Sequence, residues 1–250
     1  MFTRDLFPIL NTMTKYPSIP TFHTLGEKGR FTEEHLTIPD GELIATEKID
    51  GTNARIIIDH DGDYLIGSRE NLLYAKGDRI GDPAQGIVQA LVPIADRVAK
   101  LAPAPCVLFG EVYGGRTTAC KSYGDSVGFR LFDVMEFSNA VLNQAVARGL
   151  SAMSEWRDNG GQAFAPVSTL VLGYGNGLDL RIVPSAPLPP MDADVAGIHA
   201  WFRSRAMVTA CATDPAVCGP TEGVVVRSAD RKFICKIRRE DYERTMRARK

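Results

Sequence analysis

The stretch Glu47-Lys48-Ile49-Asp50-Gly51-Thr52-Asn53 determines how the rest of the chain is interpreted, because it places a lysine between two strand-like segments. The segments 42–49 and 53–60 alternate in polarity or are rich in β-branched residues. A lysine amine can act as a nucleophile when it is uncharged, so Lys48 is a candidate catalytic residue. A surface lysine before an Asp-Gly hairpin turn would give the same local pattern. The residues that follow must decide between these two interpretations.

Further strand-like segments arrive in antiparallel groups. The segment 64–68 would extend the first two segments into an antiparallel meander. Two more pairs of strand-like segments follow, 106–112 with 129–137 and 223–227 with 232–238. Segments with helical periodicity lie between them at about 84–101, 139–157 and 192–208, and a short basic helix is expected at 240–250. This order predicts an α+β fold of antiparallel β-sheets with flanking helices, and residues 1–250 are interpreted as a single domain.

The amino-acid composition and net charge limit the classes to which this protein can belong. The 250 residues are 44% hydrophobic and carry a formal net charge of −1, so the chain can build a core but has no overall basic character. A nucleic acid would therefore have to meet a local basic patch. Five cysteines without a Cys-x-x-Cys pair favour reduced thiols over a disulfide framework or a zinc site. No signal-peptide core or membrane-length apolar run is present, so we expect a cytoplasmic protein with no membrane partner.

Several common nucleotide-binding and metal-binding patterns are missing. The four histidines are scattered without metal-ligand spacing. No Gly-x-x-x-x-Gly-Lys-Ser/Thr loop exists, which excludes a P-loop ATPase. The glycine-rich run from Gly173 to Gly177 lacks the strand-turn-helix setting of a dinucleotide-binding fold, and we expect a loop or a hairpin there.

Two cations near the end of the chain could assist Lys48. Lys236 and Arg238 are alternate residues of one predicted strand, so their side chains project from the same face. If that face points towards Lys48, the two positive charges would favour its neutral amine and would also bind phosphates. A solvated edge strand that carries alternating cations would give the same sequence.

Three more side chains are candidates because of the strands that carry them. Glu111 and Glu222 lie in or beside apolar strands, where a buried carboxylate needs a sugar hydroxyl, a magnesium ion or a cation as its partner. Both would need no partner if they pointed outward. Phe132 would share a strand face with Arg130 and Val134, where it could stack on a base or pack in the core.

Taken in order, these residues resemble the motif series of the lysyl-AMP nucleotidyltransferases, which comprise RNA ligases, DNA ligases and mRNA capping enzymes. The similarity is greatest to the phage-type double-strand-break RNA ligases and their kinetoplastid editing relatives. It covers nearly the whole chain through the motifs Lys15-Tyr16-Pro17-Ser18-Ile19-Pro20, Lys48-Ile49-Asp50-Gly51, Ser68-Arg69, Phe109-Gly110-Glu111, Leu131-Phe132-Asp133, Thr221-Glu222-Gly223-Val224-Val225-Val226 and Lys236-Ile237-Arg238.

The resemblance implies an ATP cleft in which Lys48 forms a covalent bond to AMP, assisted in catalysis by Asp50, Lys236 and Arg238. Mg²⁺, or Mn²⁺ in its place, would be held by Asp50, Glu111 and Glu222. The remaining nucleotide contacts would come from Glu47 at the adenine edge, Ile49, Asn53, Arg69 at the ribose or the nucleic-acid end, Glu111 at the ribose, Phe132 on the adenine ring, Glu222, and Lys236 and Arg238 at the phosphates.

The same resemblance implies an RNA substrate with 5′-phosphate and 3′-hydroxyl ends, in a nicked duplex or as single strands. Asn53 stands where DNA ligases and capping enzymes usually carry arginine, and Arg238 stands where lysine is usual. No further domain is expected after the last motif, so a partner protein could be needed to engage the duplex. Two alternatives stay open: a 5′-end adenylyl- or guanylyltransferase that does not seal, and an inactive RNA-end-binding module.

Overall fold

The strands on either side of Lys48 belong to two different β-sheets. A computed structural model describes residues 2–81, 86–117, 122–217 and 219–249. Within them, the strands are β1 (His23–Leu25), β2 (Phe31–His35), β3 (Leu43–Lys48), β4 (Thr52–Ile58), β5 (Tyr64–Ser68), β6 (Leu72–Ala75), β7 (Asp78–Arg79), β8 (Cys106–Tyr113), β9 (Gly128–Glu136), β10 (Gly223–Ser228) and β11 (Ile234–Arg238). The helices are α1 (Phe7–Met13), α2 (Ile87–Val98), α3 (Asn139–Asp158), α4 (Val167–Thr169), α5 (Val195–Ser204) and α6 (Arg239–Arg247).

The chain divides into two compact units. The first, here the six-strand unit, comprises Met1–Pro17, Gly51–Ala119 and Val127–Ile182. The second, here the three-strand unit, comprises Ser18–Asp50, Cys120–Ser126 and Val183–Lys250. The interpretation of residues 1–250 as one nucleotidyltransferase domain stays a prediction.

The six-strand unit is built on an antiparallel sheet with the strand order β7-β6-β5-β4-β8-β9. Alternate residues of β4, among them Ala54, Ile56 and Ile58, are fully buried against helix α2, which contributes Leu91 and Ala95 to the same core. The three isoleucines and alanine of this strand explain its position in the middle of the sheet, since β-branched side chains fill a buried pleated surface well.

The three-strand unit contains the sheet β11-β10-β3 and a separate pair, β1 with β2. One face of the larger sheet is buried, with Val224, Val226 and Ile237 packed against helices α5 and α6. Helix α5 begins after Asp194, whose side chain accepts a hydrogen bond from the backbone N–H of Gly197 at 2.7 Å. This side-chain cap satisfies a backbone donor of the first helical turn, which has no partner within the helix.

The predicted α+β class with antiparallel sheets and flanking helices is confirmed. The predicted meander is only partly right: β4 to β7 form one, but β3 pairs with β10 and not with β4. Segment 49–51 thus connects two sheets and is no hairpin turn. The loop or hairpin predicted at Gly173 to Gly177 is wrong, because residues Leu170–Asn176 form a π-helical segment.

Other sequence predictions concern the remaining helices and the cysteines. The predicted helix at 84–101 is present from Ile87, and its first residues lie outside the described part of the chain. Cys106, Cys211 and Cys235 are buried free thiols. Among the described residues, no helix combines the length and apolar composition needed to cross a lipid bilayer.

Candidate active site

Strand register brings Lys48 and Arg238 into one row of the three-stranded sheet. Gly223 of the central strand β10 is paired with Lys48 on one side and with Arg238 on the other. Directly paired residues of antiparallel strands point to the same face of the sheet. Lys236 points to this face as well, because it lies two residues before Arg238 on β11. The three cations therefore project from the face opposite to the helices. A methyl group at position 223 would lie 2.1 Å from the Ile237 carbonyl oxygen, so glycine permits this close approach of β10 and β11.

The direct partner of Lys48 is a carboxylate. Its Nζ donates to Oε2 of Glu222 at 2.5 Å, and Nη1 of Arg238 lies 3.9 Å from the other oxygen, Oε1. Burial raises the pKa of Glu222 above its ordinary value, and the nearby charge of Asp50 acts in the same direction, although Lys48 and Arg238 oppose the shift. Glu222 is thus a carboxylate that binds a proton more readily than usual and touches the predicted nucleophile.

Arg238 is oriented by a buried aspartate that the sequence interpretation did not single out. Its Nε and Nη2 donate to the two carboxylate oxygens of Asp241 at 2.7 and 3.0 Å. Lysine cannot form this bidentate interaction. The Asp241 side chain is 1% exposed and also accepts from Arg244 at 2.6 Å. This contact gives a physical reason for arginine at a position where lysine was expected. The available signal in the sequence for this role was the acidic residue Asp241, which lies three residues after Arg238 and near the start of a helix.

The backbone next to Lys48 is held by a tyrosine that sequence reasoning also missed. The Asp50 N–H donates to the hydroxyl oxygen of Tyr123 at 2.7 Å, and the Tyr123 ring is fully buried. The carbonyl of Tyr123 in turn accepts from the backbone N–H of Thr213 at 2.6 Å. The side chain of Asp50 is left exposed at this point. A single tyrosine in a polar connection carries no pattern from which this role could be predicted.

Glu47 lies on the buried side of β3, and Ile49, which follows the end of this strand, is also buried. Glu47 is 4% exposed and accepts hydrogen bonds from Thr209 Oγ1 at 2.5 Å and from the Ala210 N–H at 2.9 Å. Its side chain therefore points away from the face that carries Lys48. Contact of this side chain with an adenine edge would require it to leave both partners, and that role stays a prediction.

Asn53 and Glu111 are direct neighbours in the six-strand unit, because β4 pairs with β8 in that register. The Asn53 Oδ1 atom is buried, and it has no hydrogen-bond partner among the described residues. Such an orphaned acceptor is costly unless a ligand donates to it. Glu111 also lies against Gly51, where a Cβ would be 2.6 Å from the Glu111 Cγ and from the Val112 carbonyl oxygen. Glycine at position 51 is therefore required by close approach.

Phe132 lies at a β-bulge. Phe109 is paired with Asp133 but the next residue, Gly110, is paired with Leu131, so Phe132 is the extra residue of β9. The predicted alternation of faces fails here, because Leu131 and Val134 pack in the same core. The Phe132 ring packs on its edge against Tyr16, whose hydroxyl donates to the buried Asp133 at 2.9 Å.

The last predicted residue, Arg69, is exposed at the end of β5, with its Nε 3.8 Å from Glu70 Oε1. The three-strand unit thus brings together Lys48, Asp50, Glu222, Lys236 and Arg238. Glu47 and Ile49 belong to the same unit but lie on its buried side. The six-strand unit holds Arg69, Phe132 and the neighbouring pair of Asn53 and Glu111. Among the described residues, no three histidine, cysteine, aspartate or glutamate side chains form a cluster that would hold a metal ion by themselves.

Comparison with protein families gives one match that spans most of the chain. The family model described as RNA ligase matches residues 41–240, which include Lys48, Glu222 and Arg238. Comparison with curated proteins gave no match.

Comparison with solved structures finds RNA ligase of Naegleria gruberi. The structure with PPi has a TM-score of 0.58 at 15% identity, covering 95% of this chain and 59% of that chain. A lysine-to-alanine mutant with ATP and Mn has a TM-score of 0.53 at 16% identity, covering 82% and 51%. A lysine-to-methionine mutant with AMP and Mn has a TM-score of 0.53 at 16% identity, covering 80% and 50%. The chain thus spans about half the length of the structures it matches, and the likeness concerns the fold.

Proposed function

Because the chain belongs to the RNA ligase family, we propose that it is an ATP-dependent RNA ligase that carries AMP on Lys48. Its products would be strands joined between a 5′-phosphate and a 3′-hydroxyl. The observation that carries the proposal is the row formed by Lys48, Gly223 and Arg238, with Glu222 in contact with the lysine amine. The ATP, AMP and Mn in the Naegleria gruberi RNA ligase structures support the proposed nucleotide and metal.

The first step is nucleophilic attack by Lys48 on the α-phosphorus of ATP. A P–N bond forms between Nζ and phosphorus, the bond from that phosphorus to the bridging oxygen breaks, and pyrophosphate leaves. The ammonium must first lose a proton, since only the neutral amine attacks. Glu222 Oε2, 2.5 Å from Nζ, is within reach to accept that proton, and its raised pKa suits it to the task.

The cations of the same sheet face would hold the phosphates. Arg238 and Lys236 are alternate residues of β11, about 7 Å apart along the strand. Their positive charge would balance the charge that builds on the departing pyrophosphate. Arg238 is already oriented by Asp241, so little rearrangement is needed when a phosphate arrives.

Glu222 and Asp50 fit the demands of Mg²⁺ or Mn²⁺ in a nucleotide site. Mg²⁺ usually takes one or two carboxylates and completes its shell with waters and substrate phosphates, so a cage of protein ligands is not required. When bound, the ion supplies positive charge beside the phosphates. We also propose that the carboxylate of Glu111 is a ligand of this ion.

The six-strand unit would supply the contacts to the nucleoside. The orphaned Oδ1 of Asn53 can accept from a ribose hydroxyl or a base amine, and the neighbouring Glu111 carboxylate can accept from a second hydroxyl. Phe132, displaced by its bulge, would stack on the adenine ring. Arg69, exposed after β5, would meet the ribose or the 5′-phosphate end of the RNA.

Two later steps complete the proposed reaction. The RNA 5′-phosphate attacks the phosphorus of the Lys48 adenylate, and the P–N bond breaks as the AMP moves to the RNA. The 3′-hydroxyl of the second strand then attacks the 5′-phosphate and releases AMP. We further propose the phage-type double-strand-break subfamily, a role in RNA repair, a cytoplasmic location and, where the duplex must be engaged, a partner protein.

The direct test is covalent labelling. The protein is incubated with Mg²⁺ and ATP or GTP labelled at the α-phosphate, then separated under denaturing conditions. We expect label from ATP that survives base and is released by acid, as a P–N bond requires. Label from GTP alone would favour a guanylyltransferase, and label from neither would favour the RNA-end-binding module. Sealing of nicked and single-stranded RNA then separates a ligase from an adenylyltransferase.

The hydroxyl of Tyr123 is expected to influence the rate of adenylation without touching ATP. In Tyr123→Phe the Asp50 N–H loses its acceptor, which costs about 1 kcal/mol of stability and loosens the segment after Lys48. We expect the rate at saturating ATP to fall about tenfold with little change in KM. Tyr64→Phe is the matched control, because it removes a buried hydroxyl that donates to Asp96 at 2.8 Å. Equal rates in the two variants would contradict the prediction.

A further inference from the structure

We propose that the groove between helices α5 and α6 binds the sugar–phosphate backbone of RNA. The groove has a volume of about 290 Å³ and is lined by His199, Arg203, Glu243, Met246 and Arg247. All five residues lie in the three-strand unit. The inference rests on the proposed function to the extent that RNA is the substrate, and it adds a binding surface outside the motif residues.

The spacing of the residues explains why a groove forms. His199 and Arg203 are four residues apart on α5, as are Glu243 and Arg247 on α6, so each pair lies on one side of its helix. The adjoining sides of the helices are buried: Trp201 and Phe202 of α5 and Tyr242 of α6 pack in the core of this unit. The groove is therefore the outer part of the seam between two fixed helices.

The two arginines of the groove outnumber its one carboxylate, Glu243. Arg238 and Arg244 are paired with Asp241, and Arg249 is paired with Glu33. By contrast, Arg203 and Arg247 form no ion pair within the described part of the chain, and both are exposed.

The Arg247 Nε donates to the backbone carbonyl oxygen of Glu243 at 3.4 Å, which leaves the carboxylate of Glu243 out of this contact. The groove is thus lined by two guanidinium groups, one from each helix, and by one carboxylate, that of Glu243 on α6.

The guanidinium groups of Arg203 and Arg247 are suited to bind a phosphodiester. A guanidinium group presents paired N–H donors that fit two phosphate oxygens, and such contacts position a nucleic acid without reading its sequence. The volume lies near the lower limit for a ligand pocket, which suits a phosphate with its sugar better than a large cofactor. Met246 offers an apolar surface for the ribose.

The position of the groove suits a contact away from the reacting ends. Helix α6 begins at the residue after Arg238, and Arg247 is its last residue, about 12 Å further along the helix axis. A backbone held here would be anchored in the same unit that carries Lys48. The groove would therefore contribute to RNA affinity and not to reaction with ATP.

The test compares the double variant Arg203→Ala/Arg247→Ala with the control Arg79→Ala/Arg148→Ala, which removes two exposed arginines from the six-strand unit. Binding of a fluorescent nicked RNA duplex is measured by anisotropy over a range of KCl concentrations. We expect the groove variant to bind about tenfold more weakly and the slope of log K against log salt to fall by about 1.5, as for two lost phosphate contacts. ATP labelling without RNA should be unchanged in both variants.

Each outcome has a defined meaning. Absence of label in the wild type would contradict the proposed function. The measurement of RNA affinity does not depend on labelling, so it tests the groove separately. Equal RNA affinity and salt slope in the groove and control variants would overturn the groove proposal, as would a wild type without measurable affinity for RNA. A glutamate-rich helical peptide is tested in parallel. If the groove variant loses affinity for the peptide but not for RNA, the occupant is an acidic protein segment and the proposal is wrong.

Discussion

Lys48→Arg is expected to yield a folded protein on which no adenylate forms. Arginine keeps the positive charge opposite Glu222, but it is not deprotonated in proteins and so offers no amine for attack on phosphorus. Loss of a covalent nucleophile commonly costs a factor on the order of 10⁴ or more in rate. The measurement is the amount of label transferred from ATP, with circular dichroism to establish that the variant is folded.

Two controls separate loss of the nucleophile from a general effect of replacing lysine by arginine. Lys100→Arg changes an exposed lysine after helix α2 and should label as the wild type does. RNA that already carries AMP on its 5′-phosphate needs no lysine carrier, so Lys48→Arg should still seal it. Label on the Lys48→Arg protein would identify a different nucleophile. Failure to seal the adenylylated RNA would show that the substitution damages more than the first step.

The positions of the strands could be predicted from sequence, but their partners could not. Hydrophobic alternation identified β3, β4 and β5 because it reports which residues face a core. It does not report which strand lies alongside. β3 was expected to pair with β4 and instead pairs with β10, about 175 residues further along the chain. Only tertiary packing decides between a local hairpin and such a distant partner.

The same limit applies to the candidate site. Alternation along β11 placed Lys236 and Arg238 on one face, since that property is local. The Lys48–Glu222 contact depends on register between distant strands and could not be derived. At Phe132 the local rule itself fails, because one extra residue shifts every following side chain to the other face.

Glu47 shows how alternation could have been applied further. It is adjacent to Lys48 on β3, so the two side chains must point to opposite faces of the sheet. The structure accordingly buries Glu47 with Thr209 and leaves Lys48 on the open face. The interpretation that both side chains contact the nucleotide came from resemblance to a family, which carries no information about these faces.

Glu222→Gln is expected to slow adenylation by two to three orders of magnitude, on the order of a lost general base, while the protein remains at least as stable as the wild type at pH 7. The raised pKa of Glu222 means that the fold disfavours its charged form, even with Lys48 beside it. Glutamine has nearly the same shape without the charge. It cannot accept the proton of Lys48, so we expect the labelling rate to fall by a factor of about 10² to 10³.

The stability of this variant relative to the wild type should depend on pH. As pH rises above the ordinary glutamate value of 4.5, the unfolded chain releases the Glu222 proton first, because the folded pKa is higher. The wild type therefore loses stability until the folded group has also ionised, and Glu222→Gln does not. Its Tm relative to the wild type should be higher at pH 7 than at pH 4. Glu42→Gln, which changes an exposed glutamate before β3, should show neither effect. Retained labelling by Glu222→Gln, or a Tm below that of the wild type at pH 7, would contradict the role given to Glu222.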